Sequence, residues 1–234
     1  MNFDIEIIIP TYNESKNLPV LIPLIFKVLK ENKIKAGVVI VDDNSPDGTS
    51  NAAQDLGKKY PVKVIVRKKD RGLAKSVFDG IKQTTGSIIG VMDADLSHPP
   101  EIIPKLIKEI ENGADISIAS RLVEGGGTER WPRARQINSY IATLLAKPIT
   151  NVKDPMSGFF FFKRGVVKDY NLVPRGYKIL LEILAKGNYK KVVEVPFIFK
   201  DRTVGESKLT PKVSTEYFIQ IFSLYLYKIK KLVF

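Results

Sequence analysis

The residues best suited to chemistry are acidic and polar groups that directly follow three apolar segments. They lie in Pro10-Thr11-Tyr12-Asn13-Glu14, in Asp42-Asp43-Asn44-Ser45 and in Asp93-Ala94-Asp95. Two carboxylates two residues apart, such as Asp93 and Asp95, can share a hard divalent cation, and Mg²⁺ or Mn²⁺ would in turn bind substrate phosphates. The same triplet could instead be a polar turn before the next helix, with Ser97 as the N-cap.

Asp42 occupies the last position of its apolar segment and poses a separate question. An Asx turn that feeds the next helix explains Pro46, Asp47 and Gly48 but not a carboxylate at the end of a buried strand. Such a carboxylate is costly to bury without a donor, and a nucleobase N–H or a ribose hydroxyl would supply one. Neither a Gly-x-Gly-x-x-Gly run nor a Walker loop is present, which argues against a dinucleotide site, but carboxylates and a metal could still hold a nucleotide.

Basic residues near these segments are candidates for binding phosphate oxygens. Arg121 follows the apolar segment that ends at residue 120, Lys178 begins a helical segment, and Arg202 and Lys208 lie in a late polar loop. Each of them, taken singly, is also explained as a solvated surface charge. The chain has one histidine, His98, and no cysteine, which excludes disulfides, thiolate metal sites and a cysteine nucleophile.

The first 120 residues predict the scaffold that positions these groups. Apolar runs and helix-like segments alternate, with strands predicted at 5–10, 37–41, 62–66, 87–92 and 115–120 and helices at 15–32, 49–59, 72–83 and 101–113. Runs that are continuously apolar are typical of parallel strands covered on both faces, and the repeated strand–helix order predicts a doubly wound α/β domain. Ligands bind beyond the carboxyl ends of such strands, where the acidic residues lie.

The second half is less regular and more basic. We predict helices at 135–147 and 176–188, an aromatic strand within 154–164, a strand at 192–199 and an amphipathic segment at 213–234. Residues 1–120 carry 16 basic and 16 acidic residues, whereas the remainder carries 21 and 9, so the whole excess of +12 lies there. That asymmetry indicates a polyanionic partner, which could be a nucleic acid, an anionic membrane or a phosphorylated substrate.

Two segments of the second half have the pattern of helices that lie on a membrane. Tyr217 to Tyr227 is an uncharged run of 11 residues beside Lys228, Lys230 and Lys231. As a helix it is about 16 Å long, too short for a hydrocarbon core of about 30 Å, but suited to lying in the interface plane. The segment 135–147 has a similar pattern, and packing on the protein core is the alternative for both.

Seven segments in order closely resemble dolichyl-phosphate mannose synthases, which are family-2 glycosyltransferases with the GT-A fold. They are PTYNE, VDDNSPDGT, DRGLAKSV, MDADLSHPP, ASR, DPMSGFFFF and DRTVGESKL. The similarity extends from Ile5 to about Lys212. It implies a GT-A, Rossmann-like α/β domain at 1–212 that includes an interface helix at about 135–147. An amphipathic membrane-interface helix at 213–234 would follow.

The resemblance also implies an activity, an inverting transfer of mannose from GDP-mannose to dolichyl (polyprenyl) phosphate. Nucleotide-sugar contacts would come from Pro10, Tyr12, Glu14, Ile40, Asp42, Asp93, Ala94, Asp95, Lys178, Arg202 and Lys208. Arg121, Arg135 and Ser139 would bind the acceptor phosphate, and Asp95 and Arg121 would be the catalytic residues. Asp93, Asp95 and Ser97 would hold Mg²⁺ or Mn²⁺. Because serine is shorter than the glutamine that many relatives carry at this position, Ser97 would reach the metal either directly or through a bridging water.

Chemistry and charge complete these expectations. A phosphate monoester with a second pKa near 6 is already ionised at pH 7, so the acceptor would need no general base. We expect a membrane-associated protein at the cytoplasmic face, attached peripherally or through a transmembrane region beyond this sequence, without a nucleic-acid partner. The alternatives are a prenyl-phosphate glucosyltransferase or other family-2 enzyme, a basic nucleic-acid-binding protein, and a catalytically silent subunit.

Overall fold

The computed structural model describes residues 3–129, 131–168, 178–200 and 211–233, and a seven-stranded sheet lies at its centre. The described strands are β1 (Ile5–Thr11), β2 (Ala36–Asp42), β3 (Val62–Val66), β4 (Ile88–Val91), β5 (Ile116–Ser120), β6 (Gly127–Thr128), β7 (Phe160–Lys163), β8 (Val192–Pro196) and β9 (Ile198–Phe199). The large sheet has the order β3-β2-β1-β4-β7-β5-β8, and β6 pairs with β9 separately.

Helices connect and cover these strands. They are α1 (Leu18–Glu31), α2 (Thr49–Gly57), α3 (Leu73–Gln83), α4 (Ile103–Glu111), α5 (Arg133–Ala146), α6 (Ile179–Lys186) and α7 (Pro211–Val233). Two short 3-10 helices, Pro100–Ile102 and Arg164–Val166, precede α4 and follow β7. The doubly wound α/β fold predicted from the sequence is therefore confirmed, with each predicted strand of the first half in place.

The mostly parallel sheet is as predicted, and the second half adds two details of strand pairing that the sequence did not predict. The aromatic strand β7 runs antiparallel between β4 and β5, whereas the other strands of the large sheet pair in parallel. The strand predicted at 192–199 is split, because β8 ends at Pro196 and β9 leaves the large sheet to pair with β6. Since β7 is antiparallel, its amino end lies at the same edge as the carboxyl ends of β4 and β5.

Four consecutive phenylalanines explain how β7 fits into the middle of the sheet. Phe159 and Phe161 belong to the apolar cluster that includes α1 and α4, and Phe160 and Phe162 belong to the cluster on the other face with α3 and α6. All four are fully buried, as expected for a central strand whose alternating side chains face opposite helical layers. Gly90 of β4 lies opposite Phe161, and a Cβ at Gly90 would come within 2.5 Å of that ring.

The two helices predicted to lie on a membrane pack on each other and on α6. Buried residues from all three form one apolar cluster, which contains Ala146, Leu181, Ala185, Tyr217, Ile221 and Leu224. The hydroxyl of Tyr217 donates to the Ala142 carbonyl at 2.6 Å, and Tyr225 donates to the Leu145 carbonyl. The last helix thus begins at Pro211, two residues before the expected boundary, with one face built into the fold.

The opposite faces of these helices are exposed and apolar. On α5 the exposed residues are Ile137, Tyr140, Ile141 and Leu144, and on α7 they are Phe218, Ile219, Phe222, Leu226 and Ile229. The spacing of three or four residues in each set places it along one side of its helix. Among the described residues, no helix combines the length and the apolar character needed to cross a bilayer.

Candidate active site

The aspartate pair lies in a tight loop just after β4. Asp95 is buried, and its Oδ1 accepts hydrogen bonds from both the backbone N–H and the hydroxyl of Ser97. Leu96 has a φ of +64°, a left-handed conformation that is strained for a bulky residue and that turns Ser97 back towards Asp95. The Ser97 side chain is itself buried, and its hydroxyl donates its hydrogen to Asp95, which orients the carboxylate.

His98 supports this loop from inside the protein. Its ring is buried and stacks on Phe159 with a centroid distance of 5.1 Å, and its Nδ1 accepts from the backbone N–H of Asp93 at 3.0 Å. Burial lowers the pKa of His98, and this outweighs the upward pull of Asp93 and Asp95. Because Nδ1 is an acceptor, the neutral ring carries its hydrogen on Nε2, which lies 3.9 Å from Asp93 Oδ2.

The donor set of this loop fits a hard divalent cation. Gly158 leaves room for the side chains of Asp93 and His98, because a Cβ at that position would lie 3.0 Å from Asp93 Oδ2 and 3.2 Å from the His98 ring. No group of three or more acidic or histidine side chains with metal-site geometry occurs in the described part of the chain. Two carboxylates, with substrate phosphates and water as the other ligands, are typical of Mg²⁺ sites.

Asp42 has its hydrogen-bond donors inside the protein. It is fully buried at the end of β2, where Thr11 Oγ1 donates to Oδ1 at 3.1 Å and the Ser45 N–H donates to Oδ2 at 3.0 Å. The Ser45 hydroxyl also donates to Oδ1. The sequence suggested that a ligand must donate hydrogen bonds to this carboxylate. Thr11 and Ser45 donate them instead, so the burial of Asp42 does not by itself require a nucleotide.

The other predicted nucleotide contacts fall into two groups. Tyr12 and Glu14 lie just beyond the carboxyl end of β1, where the Glu14 N–H donates to Thr49 Oγ1 at 2.8 Å. Pro10 lies within β1, whereas the side chain of Ile40 is fully buried in the core two residues before β2 ends. The structure thus brings Tyr12 and Glu14 to the edge that carries Asp95, and it keeps the Ile40 side chain away from that edge.

Arg121 is held rigidly at the carboxyl end of β5. Its Nε and Nη2 donate to the two carboxylate oxygens of Asp154 at 2.7 and 2.6 Å, and its backbone N–H donates to the same carboxylate at 3.0 Å. Both side chains are nearly inaccessible, with exposures of 9% and 0%. The bidentate pair uses two of the five N–H donors of a guanidinium, so the others can bind an anion.

An aromatic pair places Arg135 beside Arg121. The guanidinium carbons of Arg135 and Arg121 lie 4.1 and 5.2 Å from the centre of the Trp131 ring, and both also contact Phe199. Stacking on the negative face of an aromatic ring stabilises each cation, which helps two like charges to share one site. Ser139 follows Arg135 by one turn of α5 and is half-buried.

Lys178 completes the basic side of the site. Its Nζ donates to the carbonyl of Met156 at 2.9 Å. Burial is the main cause that lowers the pKa of Lys178, and together with Arg121 and Arg135 it brings the pKa to about 8 against the upward pull of Asp93 and Asp154. These mutual effects mean that the predicted acidic and basic groups lie close together. Arg202 and Lys208, also predicted as donor contacts, lie outside the described residues.

Three important residues escaped the sequence analysis. Asp154 and Gly158 belong to the segment that precedes β7, and only the antiparallel direction of β7 brings them to the site. Trp131 lies between the predicted strand at 115–120 and the predicted helix at 135–147, and no stacking role was predicted for it. The one available signal was the position of Trp131 between Arg130 and two further arginines, Arg133 and Arg135.

The fold brings the strand-end carboxylates and the two stacked arginines to one edge of the sheet, an arrangement suited to binding a metal ion and phosphate groups. The model of the protein family described as "Glycosyl transferase family 2" matches residues 6–170, which is most of the chain. The chain therefore belongs to glycosyl transferase family 2, and it is a glycosyltransferase. The family resemblance noted from its motifs is confirmed.

Within this family, the chain is similar to proteins named dolichol-phosphate mannosyltransferase. The chain is 50% identical over 224 residues to a dolichol-phosphate mannosyltransferase of Pyrococcus furiosus, a match that covers 94% of this chain and 63% of that protein. It is 37% identical over 239 residues to the dolichol-phosphate mannosyltransferase of Saccharomyces cerevisiae, covering 97% and 89% of the two chains. This chain therefore spans less than two thirds of the length of the Pyrococcus protein.

Solved structures support the fold. Glucosyl-3-phosphoglycerate synthase of Mycobacterium tuberculosis, in complex with Mn²⁺, UDP-glucose and phosphoglyceric acid, superposes with a TM-score of 0.70. The match covers 94% of this chain and 79% of that one, at 17% identity. A second structure, described as a mycobacterial protein, has a TM-score of 0.71, 16% identity and coverage of 95% and 73%. At such low identity these neighbours establish the fold alone.

Proposed function

We propose that this chain is an inverting mannosyltransferase that moves mannose from GDP-mannose to dolichyl or another polyprenyl phosphate. The observation that carries the proposal is the pairing of Asp93 and Asp95 with two stacked arginines, Arg121 and Arg135, at one edge of the sheet. One side suits a metal-bound diphosphate, and the other suits a second anion. The relatives named dolichol-phosphate mannosyltransferase support the same pair of substrates.

Asp93 and Asp95 are the residues that would hold a divalent cation, Mg²⁺ or Mn²⁺. Such a cation supplies positive charge that stabilises a departing nucleoside diphosphate. The mycobacterial synthase solved with Mn²⁺ supports the use of a divalent metal by this fold. Ser97 orients the Asp95 carboxylate from behind, which is a role that its buried hydroxyl can fill without touching the metal.

Arg121 and Arg135 would bind the acceptor phosphate. The donors of Arg121 that Asp154 leaves available can bind its oxygens, and Arg135 stacks beside them on Trp131. The Trp131 indole N–H is buried and has no hydrogen-bond partner among the described residues, an arrangement that a phosphate oxygen could relieve. Ser139 would add a hydroxyl from the same face of α5.

The acceptor phosphate would itself be the nucleophile. A phosphate monoester is largely ionised at pH 7, so no side chain has to remove a proton. This agrees with His98, which is buried and uses Nδ1 to accept a backbone hydrogen bond. Attack from the side opposite the leaving diphosphate would invert the sugar carbon and give a β-linked mannosyl phosphate lipid.

The exposed apolar faces of α5 and α7 would bring the site to its lipid substrate. They lie in the part of the chain that carries the excess positive charge, and anionic headgroups attract such segments. We therefore propose that the chain consists of a catalytic domain with an interface helix at about 135–147, and that α7 lies on the cytoplasmic membrane surface. Attachment through a transmembrane region outside this sequence is the alternative arrangement.

The proposal is tested with purified protein, one nucleotide sugar and a short-chain prenyl phosphate. We expect mass spectrometry to detect a mannosyl phosphate lipid from GDP-mannose, with a smaller yield from UDP-glucose. The unphosphorylated prenol is the control for the acceptor and is expected to give no product. Preferential product from UDP-glucose, or equal use of the prenol, would contradict the proposal.

A further inference from the structure

The loop formed by residues 154–158 contacts several groups of the site at once. It pairs with Arg121, accepts a hydrogen bond from Lys178 and leaves the space that Asp93 occupies. These groups come from different strands and helices of the fold. The geometry of the site therefore depends on what fixes this loop.

Each end of the loop has its own anchor. At the end near β7, the Ser157 hydroxyl donates to the Ala119 carbonyl at 2.7 Å. At the other end, the carboxylate of Glu194 accepts two successive backbone N–H groups, from Lys153 at 2.8 Å and from Asp154 at 3.0 Å. Glu194 thus holds the residue that in turn holds Arg121.

The sheet explains why Glu194 is suited to this task. Glu194 lies on β8 opposite Ile118 of β5, and Arg121 follows directly after the end of β5. The anchor and the arginine are thus carried by neighbouring parallel strands, which keep their separation fixed. Only a carboxylate offers two acceptor oxygens for two adjacent N–H groups, because an amide would turn a donor towards one of them.

We propose that Glu194 is a positioning residue for Arg121. It fixes the backbone at Asp154, and Asp154 aligns the Arg121 guanidinium through two hydrogen bonds. The same guanidinium also lies over the Trp131 ring. This inference rests on the proposed role of Arg121 in binding the acceptor phosphate. It assigns Glu194 to acceptor recognition, although no contact of Glu194 with the acceptor is needed.

The first test is Glu194→Gln, with steady-state kinetics against both substrates. We expect the KM for prenyl phosphate to rise about tenfold, as for the loss of one charge-assisted hydrogen bond. The KM for GDP-mannose and the kcat at saturating acceptor are expected to stay near the wild-type values. Glu111→Gln, which removes an exposed carboxylate at the end of α4, is the matched control. An unchanged acceptor KM, or an equal rise in both KM values, would overturn the inference.

A double-mutant cycle tests whether the effect passes through Asp154. If it does, the acceptor KM of the Glu194→Gln, Asp154→Asn double variant is expected to equal that of Asp154→Asn alone. Fully additive effects would overturn the inference. If Glu194→Gln does not fold, Glu194→Asp provides the comparison, because its shorter carboxylate cannot reach both N–H groups. An unchanged acceptor KM in the folded Glu194→Asp protein would then overturn it.

The single tryptophan provides a readout that needs no catalysis. Trp131 contacts Arg121, so a displaced guanidinium is expected to shift its fluorescence emission in Glu194→Gln but not in Glu111→Gln. An emission spectrum identical to that of the wild type would overturn the positioning role. If the wild-type protein transfers no mannose, the proposed function fails, and this comparison still tests Glu194.

Discussion

The two aspartates after β4 differ in how firmly they are held. Asp95 is 4% exposed and receives two hydrogen bonds from Ser97, whereas the side chain of Asp93 is 32% exposed. The strained Leu96 between them keeps the loop closed around Asp95. We infer that Asp95 is the preorganised member of the pair, since its orientation is fixed before any ligand arrives.

Asp95→Asn tests that inference. We expect metal-dependent transfer to fall by about a hundredfold or more, because a neutral amide binds a hard cation poorly and no longer stabilises its charge. The thermal unfolding temperature is expected to stay near that of the wild type, since the amide preserves the shape of the side chain. Asp55→Asn, an exposed carboxylate on α2, is the control. Near-normal turnover of Asp95→Asn would contradict the metal assignment.

Arg67 is a buried residue that directly follows β3. It donates to Asp43 and Asp79, and Asp43 also accepts from the Ser76 hydroxyl at 2.9 Å and the Gly72 N–H at 2.8 Å. The Arg67 and Asp43 side chains are only 7% and 8% exposed. This network joins the end of β2 to the start of α3.

Arg67→Met is expected to destabilise the fold. Loss of the guanidinium leaves Asp43 as a buried charge without its ionic partner, which lowers the free energy of unfolding by about 3–5 kcal/mol. Urea denaturation measures the change. Lys58→Met removes an exposed ion pair on α2 and is expected to leave the unfolding midpoint unaltered. Equal midpoints for the two variants would show that the Arg67 network does not stabilise the protein.

At the scale of elements, the sequence predicted most of the sheet and part of the site. Strand-end positions identified Asp93, Asp95 and Arg121, because continuous apolar runs mark parallel strands and their polar ends. The partner of Arg121 was not predictable in this way. Asp154 is 33 residues away along the chain, and it reaches Arg121 only because β7 runs antiparallel between β4 and β5.

The sequence around Ile40 and Asp42 did not predict the burial of the first side chain or the hydrogen-bond donors of the second. Ile40 matches a motif position, yet its side chain is fully buried in the core. The position of Asp42 suggested that a ligand donates a hydrogen bond to its carboxylate, yet Thr11 and Ser45 supply these hydrogen bonds. In both cases the sequence gives the chemical type of a residue, whereas burial and partners depend on which strands become neighbours.

The apolar faces of α5 and α7 lead to a prediction at the same scale. Phe222→Ser combined with Leu226→Ser is expected to reduce binding to vesicles that contain anionic lipid, because apolar area in the interface and charge both contribute. Sedimentation with vesicles measures the bound fraction. Val20→Ser with Leu24→Ser, an exposed apolar pair on α1, is the control. Unchanged vesicle binding of the α7 variant would contradict the interface assignment.

At the scale of the whole molecule, two regions of different character meet. The first 120 residues have no net charge and supply the carboxylates at the sheet edge, whereas the remainder is strongly basic and supplies Arg121, Arg135 and the exposed helices. The antiparallel strand β7 and its preceding loop join the two regions. A divalent cation on the carboxylates could thus bind a diphosphate leaving group, while the arginines bind the anionic acceptor.

The most direct test is a crystal of the protein grown with Mn²⁺ and GDP, measured at the manganese absorption edge. We predict an anomalous difference peak within bonding distance of carboxylate oxygens of Asp93 and Asp95, with the diphosphate on the same ion. The peak should be lost in Asp95→Asn crystals grown in the same way. Bound GDP with no manganese between these aspartates, or with the ion at another site, would contradict the account.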